Sequence, residues 1–290
     1  MWPKPEDPGV VRRMRTAHQR AAAHLGTLAE PGAWEAWGWR GRTLSRPVTA
    51  TDGRAWLRLA ARTGQLPDPT FWDGAIEAEK TLPGSIPRPR LRAWHDWTDG
   101  PWHYRAELYD HISTLTIAAT RAPTTMPSLP STWWNALSTA LDTIAAVPTH
   151  RVTLHQRFLD RAMPRYLGTA ISTTAPSWST AHGDLHYANL CAPALHLLDW
   201  EGWGRAPTGY DAAMLHSYSL LVPPLAARVR REAAHILDTP AGRFAELAVI
   251  AELLDTTAQG DNLDLADPLR HRASHLLGRE VPAVAVRQDA

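Results

Sequence analysis

The stretch His182-Gly183-Asp184-Leu185-His186-Tyr187-Ala188-Asn189 is followed by Leu197-Leu198-Asp199-Trp200-Glu201. It sets an Asp two residues after a His and five before an Asn, with a second Asp ten residues beyond the Asn at the end of an apolar run. Phosphoryl transfer needs this set of groups. Its transition state is loose, so positioning and charge neutralisation do most of the work. A carboxylate in reach of an acceptor hydroxyl orients it and takes its proton. An amide oxygen and a second carboxylate suit magnesium, a hard cation that prefers oxygen. Asp184 is therefore the candidate catalytic residue, Asn189 and Asp199 are the candidate metal ligands, and His182 is a brace for the loop. A polar turn between two buried strands would explain each residue singly. It does not explain their joint spacing.

Outward from this stretch the two halves of the chain differ. Before residue 108 the pattern is strand-rich. A helix is expected from Pro8 to about Ala29, with Val11, Met14, His18 and Ala21 at helical spacing. Strands are expected in Trp34 to Val48 and Arg54 to Ala60, around the Asp52-Gly53 turn. A helix over Pro69 to Leu82 follows, then a strand pair, Arg90 to Trp97 and Trp102 to Leu108. After residue 108 the spacing predicts helices over Ser131 to Val147, with Ser131 as N-cap, His150 to Leu167, Pro240 to Thr256 and Asp264 to Leu277. Ala122 to Pro130 reads as a surface loop, and the last dozen residues as a frayed tail.

The segment His182-Gly183-Asp184-Leu185-His186-Tyr187-Ala188-Asn189-Leu190, with Leu198-Asp199-Trp200-Glu201, closely resembles the aminoglycoside phosphotransferase and choline-kinase-like group of small-molecule kinases. Gly183 after the His and Trp200-Glu201 after the metal Asp separate it from protein kinases, which usually have Arg and Phe-Gly there. Gly209-Tyr210-Asp211-Ala212-Ala213 resembles a third family piece, in which the Asp opens a helix and braces the catalytic loop. An ordinary acidic residue at a helix N-terminus reads the same way. The resemblance is strong from Ala181 to Ala213 and topological elsewhere. It implies an α+β, bilobal protein-kinase-like fold. A small antiparallel-sheet lobe (residues 1–108) would cover the nucleotide, and a larger helical lobe (residues 109–290) would carry catalysis and bind the acceptor. It also implies ATP or GTP as donor, Mg2+, and a small-molecule hydroxyl acceptor, with an antibiotic such as an aminoglycoside among the candidates.

The N-terminal half departs from the family in one respect. The family holds the α- and β-phosphates with a strand lysine paired to a helix glutamate. Here the matching strand residue is Arg58. Lys4 and Lys80 are the only lysines among 30 basic residues, and neither is placed to substitute. Glu77 is the expected helix partner, with Glu79 second. Arg58 either does the lysine's work in altered geometry, or marks an impaired kinase, or is a surface residue of a strand in another register; the exchange is not conservative. Gly38-Trp39-Arg40-Gly41 could turn over the phosphates. Topology puts the adenine-binding hinge at Ala106 to Tyr109, so Glu107 is a further nucleotide-site candidate.

Composition bounds the rest. The net charge of +1 gives no footprint for nucleic acid. No apolar run reaches a membrane span, and no apolar signal follows the N-terminus, so a cytoplasmic protein is expected. The oligomeric state is not legible. Six acidic residues between Glu246 and Asp267 would suit a cationic acceptor, or be solvated helix faces. Trp133, Trp134 and Trp203 could stack a flat acceptor or bind a quaternary amine, although most of the 14 tryptophans are expected in the core. The competing function class is a nucleotide-binding pseudokinase with a regulatory role.

Overall fold

The computed structural model describes residues 3–30, 32–64 and 69–282. The chain divides into two compact units, Met1–Lys80 with Arg88–Thr114, and Thr81–Pro87 with Leu115–Ala290. The boundary expected after Leu108 falls inside a strand that runs on to Asp110. Of the frayed tail expected over the last dozen residues, those beyond residue 282 lie outside the described residues.

The first unit holds helix α1 (Pro8–His24), strands β1 (Leu28–Ala29), β2 (Ala36–Trp37), β3 (Thr43–Ala50) and β4 (Gly53–Thr63), helices α2 (Pro69–Trp72) and α3 (Gly74–Thr81), and strands β5 (Leu91–Asp99) and β6 (Trp102–Asp110). Thr81, the last residue of α3, is counted with the second unit. The sheet is antiparallel, in the order β1-β3-β4-β6-β5, with β2 also on β3. β4 alternates as a strand with one buried face must: Ala55, Leu57, Leu59 and Ala61 point into the core. Against that face lies α1 with Val11, Met14, Ala17 and Ala21. Asp7 caps α1 through its carboxylate and Pro8 opens it. The helix stops at His24, short of the expected Ala29, and Leu28–Ala29 pairs instead with Val48–Thr49 of β3. Gly26, at φ 63°, makes that turn.

The second unit holds β7 (Leu115–Thr116), α4 (Ser131–Ala145), α5 (Gln156–Leu167), β8 (Trp178–Ala181), β9 (Cys191–Ala192), β10 (Gly204–Pro207), α6 (Tyr210–Tyr218), α7 (Pro223–Glu232), α8 (Ala234–Leu237), α9 (Pro240–Thr257) and α10 (Ala266–Leu277). Pro130, rather than Ser131, takes the N-cap position of α4. α5 starts at Gln156 because the preceding residues run beside β10, where Val152 bridges Arg205. No helix among the described residues is long and apolar enough to cross a membrane.

Candidate active site

The catalytic-looking segment follows β8 directly, and β8 pairs with β10 from Ala181↔Gly204 to Trp178↔Pro207. Gly183 takes φ 89°, and a Cβ there would lie 2.6 Å from Thr153 Cγ2 and 2.9 Å from the Gly202 carbonyl. Only glycine fits, which gives the residue after His182 a steric reason. Asp211, at the start of α6, accepts hydrogen bonds from His182 N (2.7 Å) and Gly183 N (3.0 Å). Burial pushes its carboxyl up to about 6, against those two donors, with the neighbouring Asp184 charge adding to the rise. His182 is fully buried. Its Nε2 donates to the Leu198 carbonyl (2.8 Å), which leaves Nδ1 to accept from Asp184 N (3.3 Å). Burial holds this imidazole neutral, down to about 4, and Trp200 packs edge-on against it at 4.5 Å. His182 is therefore a strut between the two halves of the motif.

Asp184 keeps 41% of its side chain exposed, with His186 Nε2 at 3.4 Å from its Oδ2. Burial of its surroundings opposes ionisation, but His186 at 3.4 Å, Arg121 and His182 outweigh it and hold the carboxyl down to about 2. Asn189 Nδ2 donates to the Asp184 carbonyl (3.0 Å) and, at 3.4 Å, to its Oδ2. The amide's nitrogen end is thus used, and its oxygen is the end left to face a cation. Leu198 N donates to Asn189 O (2.9 Å), and Leu190 bridges Leu197, closing a hairpin that delivers Asp199 beside Asn189. Asp199 is exposed and held at φ 64°, a costly conformation for a residue other than glycine and one that clusters at functional sites.

Among the described residues, no group of three or more His, Cys, Asp and Glu could hold a metal by itself. Two protein oxygens, Asn189 Oδ1 and an Asp199 carboxylate oxygen, fit magnesium nonetheless, because that ion usually takes one or two protein ligands and completes its shell with phosphates and water. The segment after Asp199 is strapped from outside. Arg151 donates Nε to Trp203 O (3.0 Å) and Nη2 to Glu201 O (3.1 Å), and Thr153 Oγ1 donates to Gly202 O (2.7 Å). Arg151 and Thr153 carry no motif of their own that would mark them in the sequence.

Arg58 stands opposite Glu107 in the β4–β6 register, and its Nη1 donates to Glu107 Oε2 at 3.0 Å. Glu107 is 2% exposed and also accepts from the Tyr109 hydroxyl (3.0 Å). The expected helix partner Glu77 instead accepts from Lys80 at 3.0 Å, and Glu79 is bonded to Arg90, Arg88 and Leu91 N. Arg58 is thus paired across the sheet with Glu107, while Glu77 pairs with Lys80 on its own helix. The expected hinge, Ala106 to Tyr109, lies within β6, where its residues pair with β4 and β5. A strand paired on both sides spends its backbone groups on the ladder, so adenine could not use them.

The acidic stripe sorts into separate parts. Glu246 is buried at 1% exposure and bound by His216, Arg230 and Arg272. Glu252 accepts from Tyr210, Asp255 from Tyr166, and Asp267 pairs with Arg270 on the surface. Burial and the charges of Asp184 and Asp255 raise the Glu252 carboxyl to about 7, against the Tyr210 hydrogen bond. Arg121, in a stretch without periodicity, lies in electrostatic reach of Asp184 and Asp261. The surroundings of Asp184 are of mixed charge. Trp133, Trp134 and Trp203 are 2%, 4% and 1% exposed, which makes them core rather than stacking surfaces for an acceptor.

No family model and no curated protein matches the chain. Solved structures do. An aminoglycoside phosphotransferase, APH(4)-Ia, superposes with a TM-score of 0.63 at 12% identity, over 91% of this chain and 98% of that one. A thermostable mutant of the same enzyme, in a ternary complex with ADP and hygromycin B, gives 0.61 at 11% identity over the same shares. A spectinomycin phosphotransferase bound to ADP and spectinomycin gives 0.56 at 10% identity, over 91% and 92%. The chain has the aminoglycoside phosphotransferase fold. This is the α+β, protein-kinase-like fold, with an antiparallel-sheet N-terminal region and a helical C-terminal region. Within it, β4 carries Arg58 and is followed by α2, α3, β5 and β6.

Proposed function

We propose that the chain is an O-phosphotransferase that moves the γ-phosphoryl group of ATP or GTP to a hydroxyl of a small molecule. The joined geometry of Asp184, Asn189 and Asp199 on one braced hairpin carries the reading. An acceptor hydroxyl beside Asp184 is oriented by a carboxylate that stays ionised through the neutral range. As the acceptor oxygen bonds to phosphorus, the bond from phosphorus to the β–γ bridging oxygen breaks, and the hydroxyl proton passes to Asp184 and then to water. Asn189 Oδ1 and Asp199 would hold the magnesium ion, which when bound neutralises phosphate charge. Arg58, preset by Glu107 and Tyr109, supplies a fixed cation for the phosphates in place of a lysine.

The acceptor is a small hydroxylated molecule, with aminoglycoside and other antibiotics among the candidates. The similar structures with bound hygromycin B and spectinomycin support that class. The exchange of the strand lysine for Arg58 favours a second reading, a nucleotide-binding pseudokinase with a regulatory role. Labelled ATP and GTP, with Mg2+, tested against a panel of antibiotics and hydroxylated metabolites, separate the two. Transfer by the wild type that is lost in Asp184→Ala and Asp199→Ala is the expected result. Equal activity in all three proteins would sink the assignment. Nucleotide binding without transfer to any acceptor would establish the second reading.

A further inference from the structure

Strand β5 closes one side of the sheet, and among the described residues no strand pairs with its outer edge. An edge strand offers its outward N–H and C=O groups as a template for another strand. Leu91 N, at the start, is taken by Glu79, so the template begins beyond it. The rest of the strand alternates. Ala93 and Trp97 pack on the α1 core, and Arg92, Trp94, Asp96 and Thr98 are exposed on the opposite face. Trp94 is 47% exposed. A large aromatic ring left on an open edge is a feature that monomeric proteins ordinarily avoid.

We propose that β5 pairs with β5 of a second copy of this chain, antiparallel, with Trp94 on the two-fold axis. The strand reads Arg92-Ala93-Trp94-His95-Asp96, with opposite charges at equal spacing on either side of the tryptophan. A two-fold axis through Trp94 therefore sets Arg92 of each copy opposite Asp96 of the other, and Trp94 opposite its own copy. Opposite charges and aromatic rings are favourable cross-strand pairs. A slip of two residues either way keeps the faces matched but loses both Arg92–Asp96 pairs. The net charge of +1 gives two copies no reason to repel as wholes.

Both charged residues are held at the edge without being used up. Arg92 donates Nε to Asp110 (2.6 Å) and Nη1 to Asp52 (2.9 Å), which engages two of its three nitrogens. Asp96 accepts from Arg105 Nε (2.7 Å) and Nη2 (2.6 Å), keeps 45% of its side chain exposed, and as a carboxylate has acceptor sites beyond those two. Charges on an edge ordinarily ward off a second strand. Here their order matches an inverted copy of the same strand, so the edge selects this chain over an unrelated partner. Pairing one strand from each copy covers less than the standard interface of about 1,600 Å², so the dimer is a weak one, with a dissociation constant in the micromolar range.

The test is sedimentation of the full chain across the micromolar range, together with site-specific cross-linking. The expected result is a monomer–dimer equilibrium that Trp94→Lys weakens at least about tenfold, because two like charges then meet on the axis. Trp94→Cys should be captured as a disulfide-linked dimer under mild oxidation, because directly opposite Cα atoms lie about 4.5–5.5 Å apart. Thr98→Cys should not be captured, because four residues from the axis the two copies of residue 98 stand about 27 Å apart. Cys191 is buried and stays out of the reaction. The cross-linking pair does not depend on the lysine variant folding. A wild type that stays monomeric across this range, a dimer that Trp94→Lys leaves equally tight, or cross-linking of Thr98→Cys as readily as of Trp94→Cys overturns the proposal.

Discussion

At the level of single residues, Gly183 and Arg58 show opposite kinds of constraint. Gly183 is fixed by space: any Cβ meets Thr153 Cγ2 and the Gly202 carbonyl while the backbone sits at φ 89°. Gly183→Ala is expected to cost more than about 1 kcal/mol in urea unfolding. Adding Thr153→Ser removes the methyl but not the carbonyl contact, so it should restore only part of the loss; full restoration would show that the Gly202 contact is harmless. Arg58 is fixed by charge. Its partner Glu107 is 2% exposed, so Arg58→Ala strands a buried carboxylate and is expected to cost about 3–5 kcal/mol. Arg58→Lys keeps the cation. If Arg58 does the lysine's work, nucleotide binding by this variant is retained or improved, as read by titration with ATP and Mg2+. Complete loss would mean that the planar fork itself is required.

Among the elements, the Asn189–Asp199 hairpin and its strap decide how well a cation site can be held. Arg151 bonds two carbonyls on two residues, Glu201 and Trp203, and Thr153 bonds the Gly202 carbonyl between them. Arg151→Ala frees the segment just after Asp199, so the Mg2+ concentration needed for half-maximal nucleotide binding should rise several-fold, by analogy with about 10–100-fold losses when supports of metal ligands are removed. Arg151→Lys should not rescue it, because an ammonium does not reproduce the two-pronged geometry. An unchanged Mg2+ requirement would reduce the strap to a purely structural role. The same scale shows what the sequence could tell. The spacing of Asp184, Asn189 and Asp199 is visible in the sequence because one short segment, the loop before the hairpin and the hairpin itself, carries all three. The strands of the first unit were readable because one face is buried and alternation survives. Helix α6 was legible only at its start, through the resemblance at Asp211: every residue from Tyr210 to Tyr218 is buried, so no polar stripe marks its extent. Glu107 was misread as a hinge residue because its partner Arg58 lies across the sheet, a relation fixed by register and not by sequence distance.

For the whole molecule, acid stability follows from buried groups whose protonation folding opposes. His18, in the α1 core, donates Nε2 to the Leu57 carbonyl at 3.2 Å, and its Nδ1 is buried with no partner among the described residues. A protonated ring would place a second N–H where nothing accepts it. Burial accordingly pushes this histidine down from 6.5 to about 4. The unfolded chain then binds the proton first, so stability is lost as pH falls from 6.5 towards 4. His182, likewise lowered to about 4 by burial, acts in the same direction in the second unit. Glu246 works lower: His216 and Arg272 outweigh its burial and hold it down to about 2, so its contribution is present above 4.5 and fades between there and 2. Glu252, raised to about 7, has the opposite sign and loses stability as pH rises from 4.5 to 7. His18→Gln separates these contributions, because the amide can still donate to Leu57 O but does not titrate. Urea midpoints measured from pH 7 to pH 4 should fall less steeply in the variant than in the wild type, with at most roughly 3 kcal/mol of pH-dependent stability removed. Below pH 4 the two curves should run parallel, because Glu246 is unchanged. Equal slopes above pH 4 would mean that His18 is already neutral in the unfolded chain, or charged in the folded one, and the buried-imidazole account of the first unit would fail.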